Sequence, residues 1–404
     1  MAKIDDSVKK KVPELRFPGF TDDWEERKLG DEVRIVMGQS PNSENYTDDP
    51  NDYILVQGNA DMKNGRVLPR VWTTQVTKQA EKDDLILSVR APVGDIGKTA
   101  YDVVIGRGVA AIKGNEFIFQ NLGKMKSDGY WTRYSTGSTF ESINSTDIKE
   151  AIISVPAIEE QDKIGSFFKQ LDDSIALHQC KLDLLKEQKK GYLQKMFPKN
   201  GAKVPELRFA GFADDWEQCK LSDITKRVIR KNKNLESTLP LTISAQEGLI
   251  DQNEFFNKTI ASRDVSGYYL IKNGEFAYNK SYSNGYPWGA VKRLNRYNMG
   301  VLSTLYIVFK PTNIDSDFLE KYYDTTYWHK EISKHAAEGA RNHGLLNIAA
   351  TDFFKTELVI SKSLEEQQKI GSFFKQLDDT IALHQRKLDL LKEQKKGFLQ
   401  KMFV

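Results

Sequence analysis

Cationic, amide and aromatic side chains set beside glycines are the groups in this 404-residue chain whose types and spacing could do chemistry. Residues 88–98, SVRAPVGDIGK, carry Arg90 and Lys98 among glycines that let another molecule approach the backbone closely. Residues 278–289, YNKSYSNGYPWG, bring together Asn279, Lys280, Ser281, Tyr282, Asn284 and Tyr286. Gln57, Asn59, Lys63, Arg66 and Arg70 form another cluster, while Arg107, the pair Ser138 and Thr139, and Arg341 with Asn342 are weaker ones. Arg, Lys, Asn and Gln can pair bidentately with base edges or grip phosphates, so the chemistry these stretches suit is the reading of DNA. An ordinary solvated hairpin with a few aromatics packed on its sheet has a similar composition.

No set of residues reads as a site for covalent chemistry. Gly97-Lys98-Thr99 has Pro92 where a phosphate-binding loop needs its first glycine, and Gly123-Lys124 has Ile118 there. An Asn-Pro-Pro-aromatic motif for amino methylation is missing, as is a glycine-rich strand-to-helix turn for a cofactor. The five histidines, His178, His329, His335, His343 and His384, show no metal-ligand spacing. The expectation is therefore no catalytic, cofactor-binding or metal-binding residue in this chain. Cys180 and Cys219 fall on positions that do not match one another, which argues against a disulfide framework and for a reducing, cytoplasmic setting. Net charge is +3, so any DNA contact must come from local patches. No long apolar run suggests a membrane span.

The elements that must position these loops are announced by two repeats. Residues 158–197 return at 364–403 with differences only at Ile158/Leu364, Asp162/Gln368, Ser174/Thr380, Cys180/Arg386 and Tyr192/Phe398. An opener, VPELRFPGFTDDWEERKLGD at 12–31, matches VPELRFAGFADDWEQCKLSD at 204–223. The long repeat is an amphipathic helix of roughly 60 Å at about 1.5 Å per residue. Its seam runs Ile164, Phe168, Leu171, Ile175, His178, Leu182, Leu185 and on through Lys189, Tyr192 and Met196. The second copy runs Ile370, Phe374, Leu377, Ile381, His384, Leu388, Leu391 and on through Lys395, Phe398 and Met402. Such a four-three spacing over more than four heptads is a coiled-coil signal, with the histidines as register-setting polar residues. The intervening module returns the chain to its starting end, which favours an antiparallel pair in which Ile164 faces Met402 and Phe168 faces Phe398. Pairing between two molecules is the alternative.

The interiors share no comparable similarity, and their pattern is strands first with a helix late. In the first, 53–57, 84–89, 108–113 and 151–156 read as strands, with a helix over 116–134 capped by Asn115. In the second, 240–244, 275–279, 301–310 and 356–361 read as strands, with a helix over 316–337. The division expected is a disordered lead over 1–11, a module over 12–157, a helix over 158–197, a linker over 198–203, a module over 204–363 and a helix over 364–404. This is an α+β plan of two pseudo-symmetric mixed α/β modules separated by a long antiparallel two-helix coiled coil.

The two openers, the EEQ-x-KIGSFFKQLDD-x-IALHQ helices and their KEQKKG-[YF]-LQKMF endings resemble the specificity subunit of type I restriction-modification systems over essentially residues 12–403. That resemblance implies that the modules are target recognition domains, each reading one half of a bipartite asymmetric site in double-stranded DNA. It implies that the helices dock two modification subunits, which carry S-adenosylmethionine and the adenine methyltransferase chemistry, and that a motor-nuclease subunit joins for restriction. Two other readings remain: a hidden nuclease or methyltransferase site, which needs a cluster or motif not found, and a coiled-coil adaptor whose modules bind protein.

Overall fold

The structure, a computed structural model, describes residues 12–134, 142–199, 201–244, 246–281, 285–335, 346 and 348–404. Its chain divides into two units, Met1–Gln179 with Arg386–Val404, and Cys180–Gln385. The repeated segments form two unbroken helices, Ile158–Lys195 and Leu364–Met402. Each helix gives its first half to one unit and its second half to the other.

Inside each unit the start of one long helix packs against the end of the other, which makes the pair antiparallel. In the first unit Ile164 and Phe168 share a core with Met402 and Phe403. In the second, Ile370 and Phe374 share one with Met196 and Phe197. Along the seam Leu182, Leu185 and Leu388 are buried, while Leu171, Ile175, His178, Leu377, Ile381, His384 and Leu391 are half-buried. The charged seam positions are explained by pairing: Lys395 meets Asp172 at 2.7 Å in the first unit, and Lys189 meets Asp378 at 2.7 Å in the second.

The register differs from the symmetric expectation at one aromatic row. Phe398 meets Phe167 edge-on at 5.1 Å, and Phe168 instead lies 5.8 Å from Phe403. The cause is the module's own helix, Glu116–Ser127. Its Phe117 stacks on Phe403 at 5.1 Å and Trp24 closes in at 6.2 Å, so the terminal phenylalanine fills the space beside Phe168. Gly165 makes this approach possible, because a Cβ there would sit 2.9 Å from Cβ of Glu116; at Gly371 it would sit 2.8 Å from Cβ of Asp317.

The opener is repeated because it clamps the repeated helix. Arg16 donates two hydrogen bonds to Glu160, at 2.7 and 2.8 Å, and Arg208 donates two to Glu366, at 2.6 and 2.9 Å. Bidentate pairs of this kind combine strength with a fixed geometry. The amide of Leu15 donates to the carbonyl of Lys401 at 2.8 Å, and Leu207 to that of Lys195 at 2.9 Å. Phe17 and Phe209 meet Phe167 and Phe373, each at 6.0 Å.

On this frame sit the sheets. In both units a strand following the opener pairs antiparallel with the module's last strand: Glu25–Lys28 with Ile152–Val155, and Glu217–Lys220 with Glu357–Ile360. The first unit has a six-stranded sheet ordered Arg34–Met37, Val109–Lys113, Leu85–Ser88, Ile96–Lys98, Arg66–Val67, Met62–Lys63. The second has Thr225–Arg227, Ile307–Pro311, Phe276–Asn279, Ala290–Arg293, the same order as the first four. A five-stranded sheet completes the first unit: Tyr46–Thr47, Trp72–Thr73, Tyr53–Val56, Val103–Ile105, Gln79–Ala80. Leu85–Ser88 is buried along its whole length, as its unbroken apolar run requires of a central strand.

Three expected elements are broken. The helix over 116–134 ends at Ser127, because Gly129 turns left-handed at φ 71°, and a 3-10 turn, Tyr130–Tyr134, follows. The helix over 316–337 stops at Asp324 and resumes as His329–His335. There the Thr325 hydroxyl and the Trp328 indole donate to the carbonyls of Tyr322 and Tyr323, satisfying the last turn from outside the helix. The strand over 301–310 is two strands, Met299–Leu302 and Ile307–Pro311, separated by a turn closed from Tyr306 to Ser303. Both halves are apolar, so periodicity alone conceals the turn.

Candidate nucleic-acid interface

In the first unit the chain ends of several strands converge on a polar cleft of about 240 Å³. Its lining includes Ser40, Tyr46, Gln57, Asn59, Ser88, Arg90 and Arg107. Glycines make the convergence possible: a Cβ on Gly38 would lie 2.0 Å from the carbonyl oxygen of Gly106, and one on Gly108 would lie 2.0 Å from that of Gln57. Buried Asp61 accepts the amides of Gln57 and Gly58, at 2.8 and 3.2 Å, and so holds the turn that presents Gln57 and Asn59. Tyr46 donates its hydroxyl to Oε1 of Gln57 at 3.3 Å. Arg90 follows strand Leu85–Ser88, where the Ser88 hydroxyl donates to the carbonyls of Arg90 and Pro92. Both Arg90 and Arg107 are exposed.

Four candidates from the sequence thus come together here: Gln57, Asn59, Arg90 and Arg107. Reading by residue type alone missed Ser40 and Tyr46; the glycines at 38, 106 and 108 were the available signal. Three other candidate cations of this unit have a partner within the protein. Lys98 lies 3.3 Å from Glu116, Arg66 lies 3.2 Å from Asp173 on the long helix, and Arg70 donates to the carbonyl of Ala60 at 2.8 Å. Lys63 is exposed at the end of its short strand.

In the second unit the equivalent hairpin joins Phe276–Asn279 to Ala290–Arg293. Oδ1 of Asn279 accepts the amide of Ser281 at 3.0 Å, and Lys280 reaches the carbonyl of Ile348 at 3.4 Å. Gly289 has to be glycine at its φ of 77°, since a Cβ would meet the carbonyl oxygen of Asn279 at 2.1 Å. Half-buried Tyr286 lines a groove of about 1500 Å³ that Lys186, Lys190, Arg293 and Arg296 also line. Ser138, Thr139, Tyr282, Asn284, Arg341 and Asn342 lie outside the described residues.

A charge cluster anchors this groove. Asp324 meets Lys292 at 3.0 Å, Lys321 at 3.4 Å and Lys189 at 3.9 Å, and Lys321 also meets Asp378 at 2.7 Å. Burial alone would raise the Asp324 pKa, but Lys292, Lys321 and Lys189 outweigh it and hold the carboxyl below its ordinary value. Burial disfavours the Lys321 ammonium too, yet Asp324, Glu320 and Asp378 hold its pKa above the lysine range. A depressed carboxyl pKa contributes stability above about pH 4 that is lost as pH falls through the folded value; a raised lysine pKa contributes stability that is lost only above about pH 10. Asp324→Asn should therefore destabilise the protein by about 3 kcal/mol at pH 7. Urea midpoints measured from pH 7 to pH 3 should show that gap closing, and a constant gap would remove Asp324 as its source.

Comparison with known proteins fits this geometry. A family model described as the type I restriction modification DNA specificity domain matches residues 21–187, the first module and most of its helix. The MjaX type I restriction enzyme specificity subunit of Methanocaldococcus jannaschii is 33% identical over 177 residues, which cover 42% of this chain and 41% of that protein. The chain thus matches less than half the length of that relative. The MjaVIII specificity subunit of the same organism is 21% identical over 421 residues, covering 96% of this chain and 93% of that one. The crystal structure of a type I restriction-modification S subunit from M. genitalium superposes with a TM-score of 0.65 at 16% identity, covering 97% and 99%, a likeness of fold. Residues 21–187 thus match the type I restriction modification DNA specificity domain, and the fold of the whole chain is similar to that of a type I restriction-modification S subunit.

Proposed function

We propose that the chain is the DNA-reading, non-catalytic part of a type I restriction-modification complex, each unit reading one half of a bipartite asymmetric site. The observation that carries this is the paired hairpins: two units share strand order and frame, yet after the equivalent strand one carries Arg90 and the other Lys280. Sequence is read by side chains at base edges, so one scaffold with different loops gives two different readings.

The long helices also carry apolar side chains that no seam uses. Leu177 and Leu184, one heptad apart, are 68% and 50% exposed, and their repeats Leu383 and Leu390 are 59% and 54% exposed. Two equivalent apolar rows suit two copies of one partner, here the modification subunits that bring S-adenosylmethionine and transfer its methyl group to adenine. A motor-nuclease subunit would then join that assembly.

The test is reconstitution with the modification subunits. The complex should prefer its own site over random duplex by at least about 10³-fold and methylate it, while the chain alone with S-adenosylmethionine should transfer no methyl group. Leu177→Asp with Leu383→Asp should abolish co-purification of the partner. Equal binding of every duplex by the complex would instead make the chain a protein adaptor.

A further inference from the structure

The cleft of the first unit is one-sided in charge, with two arginines and no carboxylate among its lining residues. Oε1 of Gln57 accepts from the Tyr46 hydroxyl at 3.3 Å, and Nε2 remains as a donor. Oγ of Ser40 accepts the amide of Arg107 at 3.1 Å, leaving its proton to give. The guanidinium groups of Arg90 and Arg107 have no hydrogen-bond or ion-pair partner among the described residues, and no carboxylate lines the cleft. The site therefore presents two full positive charges and several N–H and O–H donors, and its acceptors are all neutral side-chain or backbone oxygens.

We propose that this cleft reads a guanine, through its N7 and O6, in the half-site assigned to the first unit. The inference rests on the DNA-reading function above and names what that site selects. In the major groove guanine shows two acceptors side by side, which matches a guanidinium; adenine shows an acceptor beside a donor, and cytosine a donor. The carbonyl oxygen of Gln57, which a bidentate pair with adenine would need, already accepts from Tyr46, whereas the guanidinium groups of Arg90 and Arg107 have no partner to give up among the described residues. A DNA phosphate shares the acceptor chemistry of guanine but carries no sequence information, so the two sources are separable.

The experiment uses the complete complex with its modification subunits. Methylation mapping first gives the site, and exchange of the first module shows which half belongs to the first unit. Each guanine of that half is then replaced by 7-deazaguanine, which lacks the N7 acceptor, and binding is measured for the native chain, Arg90→Ala and Arg107→Ala, each checked for native melting. At one guanine the native complex should lose binding by about 5- to 150-fold. One of the arginine variants should lose a similar factor on the native site and be insensitive to the same replacement. A first half-site without guanine, or arginine variants that weaken every duplex equally with a shallower salt dependence, would falsify the assignment. A complex that binds no duplex specifically would instead reject the DNA-reading function on which it rests.

Discussion

Replacing residues 34–157 with the interior of a related chain should change one half of the recognised site and leave the other half intact. Each mismatched base pair costs about 1–3 kcal/mol, so three altered pairs lower affinity for the original site by roughly 10²- to 10⁶-fold. The exchange is feasible because the frame meets the module mainly through backbone pairing and a few fixed contacts. Glu25–Lys28 pairs with Ile152–Val155 through main-chain bonds, which any sequence can make. The incoming helix needs an aromatic residue where Phe117 stacks on Phe403; Phe318 serves the same purpose against Phe197, at 5.3 Å, in the second unit. Methylation mapping of hosts carrying the native and exchanged chains reads the result directly. If both half-sites changed together, the units would not read independently.

The second large effect is expected at Glu366. Its carboxylate is fully buried and accepts from Arg208, from the Trp216 indole at 3.1 Å and from the Ser361 hydroxyl. Glu366→Ala removes the acceptor for all of these and leaves a guanidinium only 12% exposed without its counter-charge. Removing one member of a buried ion pair typically costs about 3–5 kcal/mol. Arg208→Ala leaves the indole and hydroxyl donors in place, so it should cost less, and the double variant should fall well short of the sum. Denaturant unfolding of the three variants measures this. A loss below about 1 kcal/mol for Glu366→Ala would show that the opener is held by its aromatic contacts instead.

Much of this protein was legible before any coordinates. The heptad seam and the near-identity of residues 158–197 and 364–403 indicated two long paired helices, because burial of a continuous apolar stripe is a local, periodic requirement. Leu85–Ser88 and Val109–Lys113 were legible for the same reason, as short apolar runs. The turn at residues 303–306 was not, since its flanks are as apolar as the strands they enter. The pairing of Phe168 with Phe403 was not either, because it depends on where Phe117 arrives, and that is set by a helix distant in sequence.

The sequence by itself determined the two-fold plan, the antiparallel helices and the residue types able to meet DNA, since repeats, periodicity and side-chain chemistry are properties of the chain read in order. Only the tertiary structure decided which of those residues work together. Arg90 and Arg107 reach one cleft with Gln57 because glycines at 38, 106 and 108 let strands pass at backbone distance. Lys98 and Arg66 have the same chemistry but lie outside that cleft, beside Glu116 and Asp173. Which partner a charged side chain finds is fixed by distances between segments far apart in the chain, and those distances exist only once the sheets and helices have packed.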